Sequence, residues 1–245
     1  MEDTNNISNT VEAGTGSLRL ALPRRVAAEA FGTAMLLVAV IGSGIMAQQL
    51  SQGDVGLQLL ENAAATAGAL IGLILMLGEV SGAHLNPCVT ILDRSLGTTT
   101  TRDSVWYVGA QFAGACLGAM VANIMFSLPA ITISTHVRSS GALWLSEVIA
   151  TVTLLLVIQG CVRTGRERAV PFAVGAWIGG AYFFTSSTSF ANPAVTIART
   201  LSNTFAGIAP SSAPMFIAMQ LVGIAIAFGL VHVFYPIKTG ESTNG

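Results

Sequence analysis

The sequence predicts an all-α membrane protein, with six transmembrane helices and two re-entrant half-helices arranged as an inverted internal repeat. Three observations predict the class. Only 9% of the residues are charged and 52% are hydrophobic, whereas a water-facing domain carries about 25% charge. Six apolar runs approach the roughly 20 residues that a helix needs to cross a bilayer. One short box, Asn-Pro-small-Val-Thr-Ile, occurs twice, at 86–91 and at 192–197.

The elements follow in chain order. Residues 1–22 are polar and contain no apolar signal core, so 1–23 is expected to be a disordered tail rather than a signal peptide. Spans are expected at about 26–48, 63–80, 104–126, 143–162, 170–187 and 213–235. The segments 86–96 and 192–202 are too short to cross. About ten helical residues rise ~15 Å, half of a ~30 Å hydrocarbon core, so each reads as a half-helix. Residues 238–245 form a short C-terminal tail.

Charge sets the orientation. Arg19, Arg24, Arg25, Arg94, Arg102, Arg163, Arg166, Arg168 and Lys238 fall on one side of this topology, and only Arg138 and Arg199 fall on the other. The positive-inside rule then places both termini in the cytoplasm, with the plasma (inner) membrane as the expected location. A net charge of −1 leaves no electrostatic footprint for nucleic acid. Cys88, Cys116 and Cys161 have neither metal-binding nor disulfide-framework spacing.

The chain reads as two copies of one half, about 24–126 and 143–237, within a channel domain at 24–237. Glu29 and Thr33 open the first span, and Glu147 and Thr151 open the fourth. Gln111 and Gly114 in the third span match Gln220 and Gly223 in the sixth. Three spans per half is an odd number, so the second half enters from the opposite face. This is an inverted repeat.

The repeat gives the Asn-Pro pair a physical task. Asn is a favoured helix N-cap, and Pro suits the first helical position, where no backbone N–H is needed. Asn86-Pro87 and Asn192-Pro193 would therefore start helices in mid-membrane with their positive ends facing each other. Non-helical backbone at that depth survives only inside protein or beside a water-filled cavity. A polar pore follows, in which the Asn amides donate to a passing solute and the dipoles repel cations.

With these residues in place the chain resembles the aquaporin (major intrinsic protein) superfamily over residues 24–237, and SGAHLNP (81–87) is similar to its glycerol-facilitator branch. The resemblance implies a homotetramer with one pore per subunit, no cofactor, no enzymatic activity and passive flow of small neutral solutes. It also implies that Glu29 and Glu147 are structural, bonding the re-entrant loop backbones.

Two departures from the family pattern stand out. The residue after the second Asn-Pro-Ala is usually Arg and projects into the narrowest point; here Ala194 is followed by Val195, and Arg199 sits a helical turn too late. Counting back from the two Asn residues without gaps places the other filter positions at Thr66, Gly180 and Ser189. A constriction of Thr, Gly, Ser and Val, with no ring and no guanidinium, would be wide and weakly polar. Glycerol, urea or trihydroxy metalloid acids such as arsenite then become the expected solutes, with water passing too; metalloid passage is implied by the resemblance alone. Cys88 stands where Ala is usual. It reads first as a small packing residue and second as a thiol near the pore.

Other residues carry less. Glu79 reads equally as a pore vestibule or as the interfacial end of its span. His84 reads as a loop histidine bonded to backbone rather than a gate, and His136 and His232 carry no ligand pattern. Gly68/Gly72, Gly114/Gly118 and Gly175/Gly179 suggest close helix contacts. Arg163–Arg168 reads as a cytoplasmic anchor loop. No nucleophile–base or metal motif is present for a membrane enzyme. An ion-coupled transporter using Glu29 and Glu147 and an ordinary water-selective channel are the alternatives.

Overall fold

The computed structural model describes residues 20–236. Most of the expected N-terminal tail, all of the C-terminal tail, Arg19 and Lys238 lie outside the described residues. Eight α-helices follow in order: α1 (Leu22–Leu50), α2 (Val55–Ser81), α3 (Pro87–Ser95), α4 (Thr101–Met125), α5 (Gly141–Arg163), α6 (Val170–Phe184), α7 (Pro193–Ala198) and α8 (Ala213–Phe234). Strands are absent among the described residues. Helices α1, α2, α4, α5 and α8 are long and apolar enough to cross a membrane.

Helix boundaries differ from the expected spans where polar residues find internal partners. Helix α2 starts at Val55 rather than near residue 63 because the Asp54 carboxylate accepts from the Leu57 N–H at 2.9 Å. Gln58 and Asn62 interrupt the apolar run, yet both are buried and donate to the carbonyls of Ser51 and Val40. Helix α6 is shorter than its expected span, at 15 residues, or ~22 Å. The chain turns extended at Thr185, and Thr188, Ser189 and Ala191 then adopt positive φ. The second half-helix also tightens early, with α7 passing into a 3-10 turn over Arg199–Leu201.

Packing repeats the internal symmetry. Helix α1 lies along α4 and α5 lies along α8, while α2 and α6 join the two halves. A Cβ on Gly114 would stand 2.1 Å from the Ala30 carbonyl oxygen, and one on Gly118 would stand 2.1 Å from that of Ala34. In the second half a Cβ on Gly223 would stand 2.8 Å from the Thr151 side chain and 3.3 Å from the Val148 carbonyl oxygen. Lipid offers helices no hydrophobic drive to associate, so backbone contact through small residues supplies the attraction. Gly175 and Gly179 meet Ala67 on α2, but Gly68 and Gly72 have nothing within 4 Å and face outward. The expected contact at that pair is therefore not made among the described residues of one subunit.

The two short helices sit between the halves. Helix α3 packs on α4, α5 and α8, α7 packs on α4 and α8, and the two meet each other.

Candidate functional site

Each half-helix begins at its asparagine. The Asn86 side-chain oxygen accepts from the Cys88 N–H at 2.8 Å, and Pro87 occupies the first turn. The Asn192 oxygen accepts from the Ala194 and Val195 N–H groups, with Pro193 in the first turn. The two Nδ2 atoms cross over: Asn86 donates to the Ala191 carbonyl at 2.8 Å and Asn192 to the Leu85 carbonyl at 2.9 Å. Each amide nitrogen has two hydrogens, so one remains for the lumen.

The loops leading into the asparagines are held open by buried carboxylates. Glu29 accepts from the Ser81 hydroxyl, the His84 and Leu85 N–H groups and the Gln111 amide. Glu147 accepts from Ser187, Phe190, Ala191 and Gln220 in the same pattern. These bonds oppose real strain. Ala83, Leu85, Thr188, Ser189 and Ala191 all have φ between 45° and 62°, at roughly 1–3 kcal/mol each. Each carboxylate answers with two main-chain bonds, from His84 and Leu85 to Glu29 and from Phe190 and Ala191 to Glu147.

A cavity of about 640 Å³ runs between the halves. It passes from Glu79, Asp93, Glu167 and Arg168 at one mouth, past Asn86 and Asn192, to Thr66, Tyr182, Ser189, Phe190 and Val195. Glu79 thus lines a vestibule. His84 lines the cavity too, and its ring meets side chains instead of the expected backbone: Nδ1 lies 3.0 Å from the Thr90 hydroxyl and Nε2 lies 3.2 Å from Asp93. Cys88 is fully buried against Leu92, Leu155, Ile224 and Ala227, which is a packing position, and Ala194 is fully buried as well. His136 and His232 are both outside the lining. Among the described residues there is no group of three or more His, Cys, Asp or Glu that could hold a metal.

Three of the four expected filter residues come together. Thr66, Ser189 and Val195 line the cavity, but Gly180 does not. Val174, Ile178 and Tyr182 share the cavity face of α6 at four-residue spacing. Gly180, two residues on from Ile178, points about 200° round the helix; it is exposed, and the atom nearest to a Cβ there belongs to outward-facing Phe184. The place expected for Gly180 is taken by Tyr182, whose hydroxyl lies 3.2 Å from the Thr66 hydroxyl. The ungapped count thus reaches the outer face of α6, whereas Tyr182, two residues later, faces the cavity. The expected absence of rings is corrected with it, since Tyr182 and Phe190 both face the cavity. The four-residue recurrence of Val174, Ile178 and Tyr182 was the available signal. The Ser189 hydroxyl is buried and has no hydrogen-bond partner among the described residues.

Arg199 stays out of the lumen. Its Nε donates to the Ala206 carbonyl, and its guanidinium carbon lies 3.5 Å from the centre of the Phe190 ring. Arg138, from the loop before α5, lies 5.4 Å from that ring and donates to the Gly207 and Phe205 carbonyls. Burial lowers the Arg138 pKa while Glu147 and Tyr182 raise it.

Comparisons with known proteins agree with this geometry. The profile of the Major intrinsic protein family matches residues 17–190. The chain is 47% identical over 211 residues to the aquaglyceroporin AqpS of Rhizobium meliloti, covering 86% of this chain and 90% of that protein. It is 29% identical over 243 residues to a probable aquaporin, AqpM, of Archaeoglobus fulgidus, covering 88% and 98%. The X-ray structure of the aquaglyceroporin from Plasmodium falciparum superposes with a TM-score of 0.67 at 21% identity, covering 86% of this chain and 96% of that one, and so shares the fold. With the profile spanning well over half its length, the chain belongs to the major intrinsic protein family of multi-pass membrane channels.

Proposed function

We propose that this channel conducts small uncharged solutes bulkier than water, such as glycerol, urea or trihydroxy metalloid acids including arsenite, with water passing as well. The observation that carries the reading is Val195, which lines the cavity where a guanidinium would narrow and charge it. Opposite that apolar wall stand the paired hydroxyls of Thr66 and Tyr182 and the unpartnered hydroxyl of Ser189. A polyol or a trihydroxy acid offers several hydroxyls, each able to donate and accept, and so replaces its hydration on one side while its bulk rests on Val195. Farther in, one free amide hydrogen from each of Asn86 and Asn192 hands the solute across the midplane. Flow is passive in this reading, because Glu29 and Glu147 are each engaged by four donors away from the lumen.

The assembly reading is a homotetramer in the plasma membrane with both termini cytoplasmic, supported by the family and by the distribution of Arg and Lys. Stopped-flow light scattering of proteoliposomes, challenged in turn with sucrose, glycerol, urea and arsenite, tests the function. Glycerol or arsenite entry well above that of empty vesicles is expected, with sucrose excluded. Water flux with none of the three small solutes would favour an ordinary water channel.

A further inference from the structure

Arg168 lines only the far mouth and Val195 brings no guanidinium to the lumen, yet two guanidiniums lie just behind the wall at this end. Arg138 and Arg199 both stack on Phe190, at 5.4 and 3.5 Å from its ring centre, and Phe190 itself lines the cavity beside Val195 and Ser189. The main-chain carbonyls of Phe205, Ala206 and Gly207 take their N–H groups. Among the described residues neither arginine has a carboxylate in ion-pair contact. Glu147 on α5 is the carboxylate bonded to this turn, accepting the Phe190 N–H at 2.9 Å. One carboxylate against two guanidiniums leaves this end of the pore net positive.

The internal symmetry shows how one-sided the arrangement is. Arg199 follows Asn192 by seven residues and packs on Phe190, two before it. At the equivalent places of the first half, Asp93 lies 3.2 Å from His84. The same two positions therefore carry a cation behind a ring at one mouth and an anion beside an imidazole at the other.

We propose that Arg138 and Arg199, stacked on Phe190, are the specificity-determining charges that exclude cations from this pore, acting through the wall instead of from within it. The proposal rests on the channel reading above. A buried charge in a low-dielectric wall is little screened by salt and acts over several ångströms. Placed behind Phe190, it opposes monovalent cations without occupying lumen volume, so the constriction stays open to bulky neutral solutes while remaining closed to ions.

The test uses proteoliposomes of the full chain, read in parallel for glycerol entry and for methylammonium and potassium entry. Arg138→Gln and Arg199→Gln should each raise cation entry on the order of tenfold, with glycerol entry within about twofold of wild type. Arg138→Lys and Arg199→Lys keep the charge and should keep the exclusion. If Arg199→Gln loses glycerol entry through misfolding, the Arg138 pair decides alone, because its loop position is less central to the packing. Unchanged cation entry in Arg138→Gln, with glycerol entry intact, overturns the proposal. Leak in Arg138→Lys equal to that in Arg138→Gln does so too, since it would show that shape and not charge is at work. Failure of wild type to pass glycerol would instead strike the channel reading itself.

Discussion

Asn86 and Asn192 each hold the other's loop: the Asn86 amide donates to the Ala191 carbonyl at 2.8 Å, and the Asn192 amide donates to the Leu85 carbonyl at 2.9 Å. The exchange ties the two halves together at the point where their backbones are most strained. Each asparagine is thereby a helix cap and a clasp between repeats, and in the proposed function a lumen donor as well.

Asn86→Ala or Asn192→Ala removes all three at once. Loss of the cap alone costs about 0.5–2 kcal/mol. Reduced glycerol flux, or a lower melting temperature in detergent, is expected from either change. Normal flux and stability in both would contradict the half-helix geometry.

The carboxylates give a prediction about coupling. Glu29 and Glu147 spend their oxygens on loop N–H groups, a serine and a glutamine. Solute uptake should follow its own gradient and ignore an imposed proton gradient. Proton-driven accumulation against the solute gradient would establish a transporter.

Two glycines separate packing from open surface. Gly114→Ala drives a Cβ to 2.1 Å from the Ala30 carbonyl oxygen, and overpacking of that kind costs about 1–3 kcal/mol or more. Gly68→Ala meets nothing within 4 Å and gains up to about 1 kcal/mol of helix propensity. Thermal aggregation in detergent should come earlier for the first and no earlier for the second.

The constriction register has its own test. Tyr182→Phe removes the hydroxyl that meets Thr66 and should change the glycerol-to-urea permeability ratio, whereas Gly180→Ala, on the outer face of α6, should leave that ratio unchanged. The reverse pattern would restore the ungapped count.

The legibility of this chain follows its chemistry. A Pro and a capping Asn are so costly in an apolar run that their repetition marked the half-helices, and two matched glutamates marked what supports them. The start of α2 was hidden because Gln58 and Asn62 look like loop residues until Ser51, just past α1, and Val40 within it supply their acceptors. Tyr182 was hidden because counting along the chain assumes a turn of fixed length, and only the cavity lining shows which face of α6 looks inward. Arg138 and Arg199 could be placed on one side by charge, but nothing linear brings both to Phe190.

Val195 carries the central claim, and its replacement tests it most directly. The measurement is the ratio of glycerol or arsenite permeability to water permeability, in proteoliposomes of wild type and of Val195→Arg. The introduced guanidinium would fill lumen volume opposite Thr66 and Tyr182 and bring five donors to it. The ratio should fall several-fold because the larger solute loses more than water does. An unchanged ratio, with water flux intact, would contradict the account by showing that Val195 does not set the constriction.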